Sequence, residues 1–101
     1  MRSKFTTSIL AHQTTFGLEL PEDAIERLAD YYEIILEHNP LLHLVGPCSP
    51  EEFATRHILE SLTMLEFLPH NATFIDIGSG GGLPALPCLL VRGDLNAILV
   101  E

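Results

Sequence analysis

Bases are scarce in this sequence: five Lys and Arg stand against 14 Asp and Glu, giving a net charge of −9. Taken by itself, that balance argues against a nucleic-acid-binding surface, which should be basic. Cysteine is equally sparse. Cys48 and Cys88 lie 40 residues apart, match no metal-ligand spacing and read as small buried apolar residues in a reducing, cytoplasmic setting. His12, His38, His43 and His70 fit no metal spacing either, so no metal is expected. No apolar run approaches the roughly 20 residues that span a bilayer. Arg2 and Lys4 are not followed by the apolar stretch and small-residue cleavage site of a secretory signal. There are no internal repeats and no low-complexity tracts.

What is present is the composition of a folded chain. Apolar residues make up 47%, enough for a core, and 101 residues bound the chain to one small domain. Residues 6–16 are weakly patterned as a helix that Gly17 ends. Residues 21–39 are better patterned. Pro21 suits a first helical position, Glu22 and Asp23 complement the positive end of the dipole, and Ile25, Leu28, Ala29, Tyr32, Ile35 and Leu36 form one apolar stripe. Asn39-Pro40 is expected to stop this helix. Ser49-Pro50-Glu51-Glu52 is a capping-box start, and the following helix runs to about Leu68, with Ala54, Ile58, Leu62, Leu65 and Leu68 on its core side.

The period then changes. Residues 73–77 read as a short buried strand, 78–82 as a glycine-rich turn, 83–92 as a helix with Pro84 at its start and Gly93 past its end, and 96–100 as a second strand. This order spells one right-handed parallel βαβ unit. Residues 1–72 thus form an N-terminal helical region, and 73–101 begin an α/β domain.

Open α/β sheets bind ligands at the carboxyl ends of their strands, where the turn 78–82 lies. Glycine there lets a ligand approach a backbone that carries no Cβ. The helix that follows points free N–H groups at an anionic ligand group. Glu101, 19 residues past Gly82, ends the second strand, where a carboxylate can accept hydrogen bonds from both ribose hydroxyls. The implied ligand has a ribose and an acidic end. A dinucleotide G-x-G-x-x-G fails from Gly78, because Leu83 takes the sixth place, and matches only partly from Gly80 through Gly82 and Ala85. A phosphate loop ending in G-K-[ST] is absent.

What remains is Asp76-Ile77-Gly78-Ser79-Gly80-Gly81-Gly82, an acid two residues before G-x-G-x-G. It resembles motif I of the class I S-adenosylmethionine-dependent methyltransferases. The flanks narrow the resemblance. Residues 49–61, Ser49-Pro50-Glu51-Glu52-Phe53-Ala54-Thr55-Arg56-His57-Ile58-Leu59-Glu60-Ser61, are similar to the "DPxExxxRHIxDS" segment of the RsmG family (glucose-inhibited division protein B), bacterial 16S ribosomal RNA guanine-N7 methyltransferases. Gly80-Gly81-Gly82-Leu83-Pro84-Ala85-Leu86-Pro87 is similar to that family's "GxGxPGIP". The match covers roughly residues 25 to 101.

The resemblance implies the N-terminal half of such an enzyme: N-terminal helices and the first βαβ unit of a Rossmann-like methyltransferase sheet, truncated after the second strand. It implies S-adenosylmethionine as cofactor, held by Asp76, Gly78, Ser79, Gly80, Gly82, Leu83 and Glu101, and ribosomal RNA as partner, with Arg56 and His57 near substrate. The family's "YNLT" is replaced here by Leu42-His43-Leu44-Val45. Family members are about twice this length, and the absent half carries their adenine pocket and RNA-binding bases. Simpler roles are open too: Glu52, Arg56 and Glu60 can pair along an exposed helix face, and His57 can be a half-buried structural histidine beside Phe53, Ser61 and Met64. Asp76 can orient the loop or bond the cofactor's amino group. Two other functional readings fit less of the pattern: a nicotinamide-dependent oxidoreductase fragment, and a non-catalytic fragment that self-associates. Guanine N7 has a free lone pair, so the reaction needs alignment and no general base; the catalytic residues are therefore unspecified.

Overall fold

The computed structural model describes residues 2–42, 48–78 and 83–100. Helix α1, Arg2–His12, starts earlier than the weak pattern suggests and tightens into a 3-10 turn, Gln13–Phe16. Gly17 ends it as expected, at φ +73°, a left-handed conformation that glycine adopts without a Cβ penalty. The early start has an electrostatic anchor. Glu26, Asp30 and Glu33 lie on one face of the next helix, and all three accept hydrogen bonds from the Arg2 guanidinium.

Helix α2, Glu22–Leu42, carries the expected stripe. Ile25, Leu28, Ala29, Tyr32 and Ile35 are buried, as are Ala24 and Tyr31, while Leu36 has rotated off the stripe and is 38% exposed. The backbone does not stop at Asn39-Pro40 but continues through Pro40 to Leu42. Pro40 has no N–H to donate to the Leu36 carbonyl one turn back, so the helix forgoes that bond where it runs on.

Residues 50–67 form a third helical rod, α3, whose pitch changes along its length. The capping box is complete: Ser49 Oγ accepts from the Glu52 N–H at 3.1 Å, and the Glu52 carboxylate accepts from the Ser49 N–H at 3.2 Å. One α turn, Pro50–Glu52, opens into a π-helix, Phe53–Leu59, returns to an α turn, Glu60–Leu62, and closes as a 3-10 turn, Thr63–Phe67. The wider pitch brings Phe53 and Leu59 onto the buried side with Ala54, Ile58 and Leu62. The tighter end leaves Leu65 and Leu68 only half-buried. Phe53 sits at the centre of the helical core. Its ring centroid lies 4.9 Å from Tyr32 and 6.2 Å from Phe5, and Phe5 stacks on Tyr32 at 4.8 Å. Such pairs add to the area they bury.

The βαβ unit is present as expected. Strands β1, Thr73–Ile77, and β2, Asn96–Val100, pair in parallel from Thr73↔Asn96 to Ile77↔Val100, with helix α4, Ala85–Val91, between them in sequence. α4 packs between the sheet and α2, and the Arg27 guanidinium of α2 donates to the Leu90 carbonyl at 2.6 Å, satisfying a carbonyl at the end of α4. One expectation about β1 is corrected: it is not buried on both faces. Phe74 packs toward the core, but Ile75 and Ile77 are 62% and 79% exposed, and Ile98 and Val100 lie exposed beside them. No element among the described residues covers this side of the sheet, so the apolar run that resembles a buried parallel strand is half-solvated here.

Candidate functional site at the carboxyl end of the sheet

The ends of β1 and β2 are joined beyond the strands. The Gly78 N–H donates to the Val100 carbonyl at 2.5 Å, extending the parallel ladder by one residue into the turn. Gly78 has φ +75°, and a Cβ built there would meet nothing within 4 Å among the described residues. That left-handed backbone conformation strains any residue that carries a side chain. Two residues earlier, Asp76 is half-buried on the α4 side of the sheet, and its Oδ2 is buried without a hydrogen-bond partner among the described residues. A buried carboxylate oxygen wants a donor. This one stands near the carboxyl end of β1, two residues before Gly78. Leu83 re-enters on the far side of the loop, half-buried against the core. The structure therefore places Asp76 and Gly78 at the carboxyl end of β1, with Leu83 following in sequence and packed against the core. Ser79, Gly80, Gly82 and Glu101 lie outside the described residues, as do His43, Leu44 and Val45.

Arg56 and His57 lie elsewhere, on the π-helical part of α3. Arg56 is well exposed and stands 3.9 Å from Glu52; among the described residues it forms no ion pair with Glu60. His57 is half-buried with its ring centroid 5.4 Å from Phe53, and its carbonyl accepts from the Ser61 hydroxyl. Isolated π-turns inside helices frequently occur at functional sites. Here the π-turn coincides with the Arg56-His57-Ile58 motif, a feature the α-helical spacing gave no means of seeing.

Cys88 is buried as the sequence suggested, whereas Cys48 is only half-buried. Burial raises both thiols, Cys88 to about 11, which favours their neutral forms. Arg92 and Asp94 close the turn between α4 and β2. The readable signal was a short Arg92-Gly93-Asp94 turn directly after an apolar helix.

A family model described as rRNA small subunit methyltransferase G (GidB) matches residues 24–101. Among curated proteins, the ribosomal RNA small subunit methyltransferase G of Azoarcus sp. is 40% identical over 84% of the chain, and that of Sorangium cellulosum is 43% identical over 84%. The same-named protein of Methylobacillus flagellatus is 32% identical over the whole chain. The alignments cover 40%, 37% and 47% of these relatives, so the chain spans less than half the length of the proteins it matches.

Proposed function

Because the chain belongs to the GidB family, rRNA small subunit methyltransferase G, we propose that it provides the cofactor-loop half of an S-adenosylmethionine-dependent methyltransferase acting on guanine N7 of 16S ribosomal RNA in the cytoplasm. In this reading residues 1–72 are a helical region and 73–101 the start of the cofactor domain.

The observation that carries the reading is the half-buried Asp76, whose Oδ2 is buried without a hydrogen-bond partner among the described residues, two residues before a positive-φ Gly78 at the carboxyl end of a parallel strand. These residues fit the amino-acid end of the cofactor: a carboxylate for the loop N–H groups or the ammonium, and a backbone open to close approach. Glu101 would take the ribose hydroxyls at the end of β2. When bound, the cofactor supplies an already activated methyl group on a sulfonium. The chain's own contribution is to fix its orientation and to keep water from the loop. N7 carries its lone pair without deprotonation, so the absence of an acid–base pair beside Asp76 among the described residues is consistent with this chemistry. Arg56 and His57 are then assigned to the RNA side, on the π-turn of α3.

The exposed Ile75, Ile77, Ile98 and Val100 carry a second proposal. A contiguous apolar sheet face beside unpaired strand edges is a template for association, and this chain alone self-associates through it and is inactive.

The test is transfer of labelled methyl from S-adenosylmethionine to undermodified 16S rRNA. The assay compares the 101-residue chain with the chain continued by the remaining segment of the Azoarcus relative. Turnover by the continued form alone is expected. Its failure to methylate, or methylation at an atom other than N7, would refute the assignment.

A further inference from the structure

The basic side chains of the described residues are almost all committed. Arg2, Arg27, Arg56 and Arg92 each stand within 4 Å of at least one carboxylate. Lys4 has no ion pair among the described residues. It lines a cleft of about 300 Å³ between α1 and the start of α3, together with Ser3, Thr7, Ser8, His12 and Glu51.

Spacing explains the arrangement. Lys4, Ser8 and His12 stand at i, i+4 and i+8, one rail along α1, with Ser3 and Thr7 on the rail beside it. Lys4 and His12 are exposed, and Ser8 between them is only 5% exposed. The Ser8 Oγ is buried without a hydrogen-bond partner among the described residues. A helix serine ordinarily returns its hydroxyl to the carbonyl one turn back, and leaving it buried and unpaired is unfavourable. The cleft thus has an uncommitted cation and an imidazole at its rim, an unsatisfied hydroxyl inside, and one carboxylate on its opposite wall.

We propose that this cleft binds one ribose-phosphate unit of an RNA backbone, with Lys4, Ser8 and His12 on the phosphate and Glu51 accepting from the ribose 2′-hydroxyl. Its volume sits at the small end of ligand sites, suited to a sugar-phosphate rather than to a whole stacked nucleotide. A bare anion would find Glu51 repulsive, whereas a ribose gives that carboxylate a donor. DNA lacks the donor. The site is separate from the cofactor loop, and α1 precedes the family-matched segment, which begins at residue 24. The inference rests on the RNA-modifying reading only for the choice of RNA over other sugar phosphates.

The test is titration of the protein with labelled oligouridylate, its deoxy counterpart and inorganic phosphate, read by anisotropy and by amide shifts. Oligouridylate should shift the amides of residues 3–12 and 51 and bind more tightly than the deoxy form. Lys4→Ala should weaken it roughly tenfold and lower the slope of log affinity against log salt by about 0.7, the value for one single-strand phosphate contact. Glu51→Gln should narrow the preference for RNA. Ser8→Ala should weaken binding while leaving the melting temperature unchanged or higher, since it removes an unpaired buried hydroxyl; a purely structural serine would not give that combination. Shifts confined to other surfaces, parent-like binding by Lys4→Ala, or equal affinity for inorganic phosphate would each overturn the proposal. If the cleft fails while S-adenosylmethionine binding and methyl transfer persist in the continued form, only this inference falls.

Discussion

Arg92 and Asp94 meet side by side across Gly93: Nη2 donates to Oδ2 at 2.7 Å and Nε to Oδ1 at 3.2 Å. The same guanidinium donates to the carbonyls of Leu65, Leu68 and Pro69, and the same carboxylate accepts from the Asn71 N–H at 2.7 Å. One pair therefore fastens the end of α4 to the end of α3 and fixes the turn from which β1 departs. The Arg92 guanidinium, with the Asn71 N–H, holds the Asp94 carboxyl well below the usual carboxylate range. A carboxyl depressed in the folded state stabilises the fold above its ordinary value of 3.8, and that contribution is lost as pH falls from there toward the depressed native value. Asp94→Asn should lower the melting temperature at neutral pH and make the loss of stability below pH 4 shallower than in the parent. Circular dichroism melts across the acid range would show it; parallel acid limbs would argue that the pair is ornamental.

The alkaline side is set by buried neutral groups. Burial raises Cys88 from 9.0 to about 11 and Tyr31 from 10.0 to about 12. A group raised in the folded state stabilises the fold below its unfolded value and ceases to do so as pH rises through the folded one. Stability should therefore decline from about pH 9 upward. Cys88→Ala should flatten the first part of that decline, at the expense of a small cavity beside α4. Denaturant midpoints measured from neutral to alkaline pH test this, and an unchanged slope in the variant would assign the decline to other groups.

Phe53 touches Phe5, Tyr31, Tyr32 and His57, and it faces inward at the first position of the π-helical stretch. Phe53→Ala should destabilise by about 3–5 kcal/mol, the range for deleting a buried aromatic. For a chain of this size that is a large share of the total. Phe53→Leu, which keeps most of the volume, should lose clearly less. Urea titration distinguishes them; equal midpoints for Phe53→Leu and Phe53→Ala would mean the ring's neighbours collapse into the space.

The sheet face gives a prediction about association. Ile77 is the most exposed of its apolar residues, at 79%. Ile77→Lys places a charge within the proposed contact and should shift the chain toward monomer in sedimentation experiments at micromolar concentration. A parent chain that is already a monomer would remove the basis for the association claim.

The elements of the βαβ unit were legible because their signals are local. A β-branched run, a glycine cluster and a capped apolar helix each name themselves, and Asp76 and Gly78 fall where that order places them. Three features were not legible, each because it depends on partners distant in sequence. The start of α1 at Arg2 depends on three carboxylates of α2. The π pitch of residues 53–59 follows from packing Phe53 and Leu59 into one core, which α-helical spacing does not anticipate. The solvation of Ile75 and Ile77 depends on what lies over the sheet, and an apolar strand reads the same whether or not its second face is covered.

The central claim is that the loop after β1 holds S-adenosylmethionine, and calorimetry tests it most directly. The chain continued by the remaining segment of the Azoarcus relative is titrated with S-adenosylmethionine and with NADH, as parent, Gly80→Val and Glu101→Ala. The parent should bind S-adenosylmethionine and not NADH. Gly80→Val should lose binding sharply while keeping its fold, and Glu101→Ala should weaken it by roughly one to three kcal/mol, the range for a lost hydrogen bond to a charged group. Binding of S-adenosylmethionine by both variants at the parent's affinity, or preference for NADH, would contradict the claim.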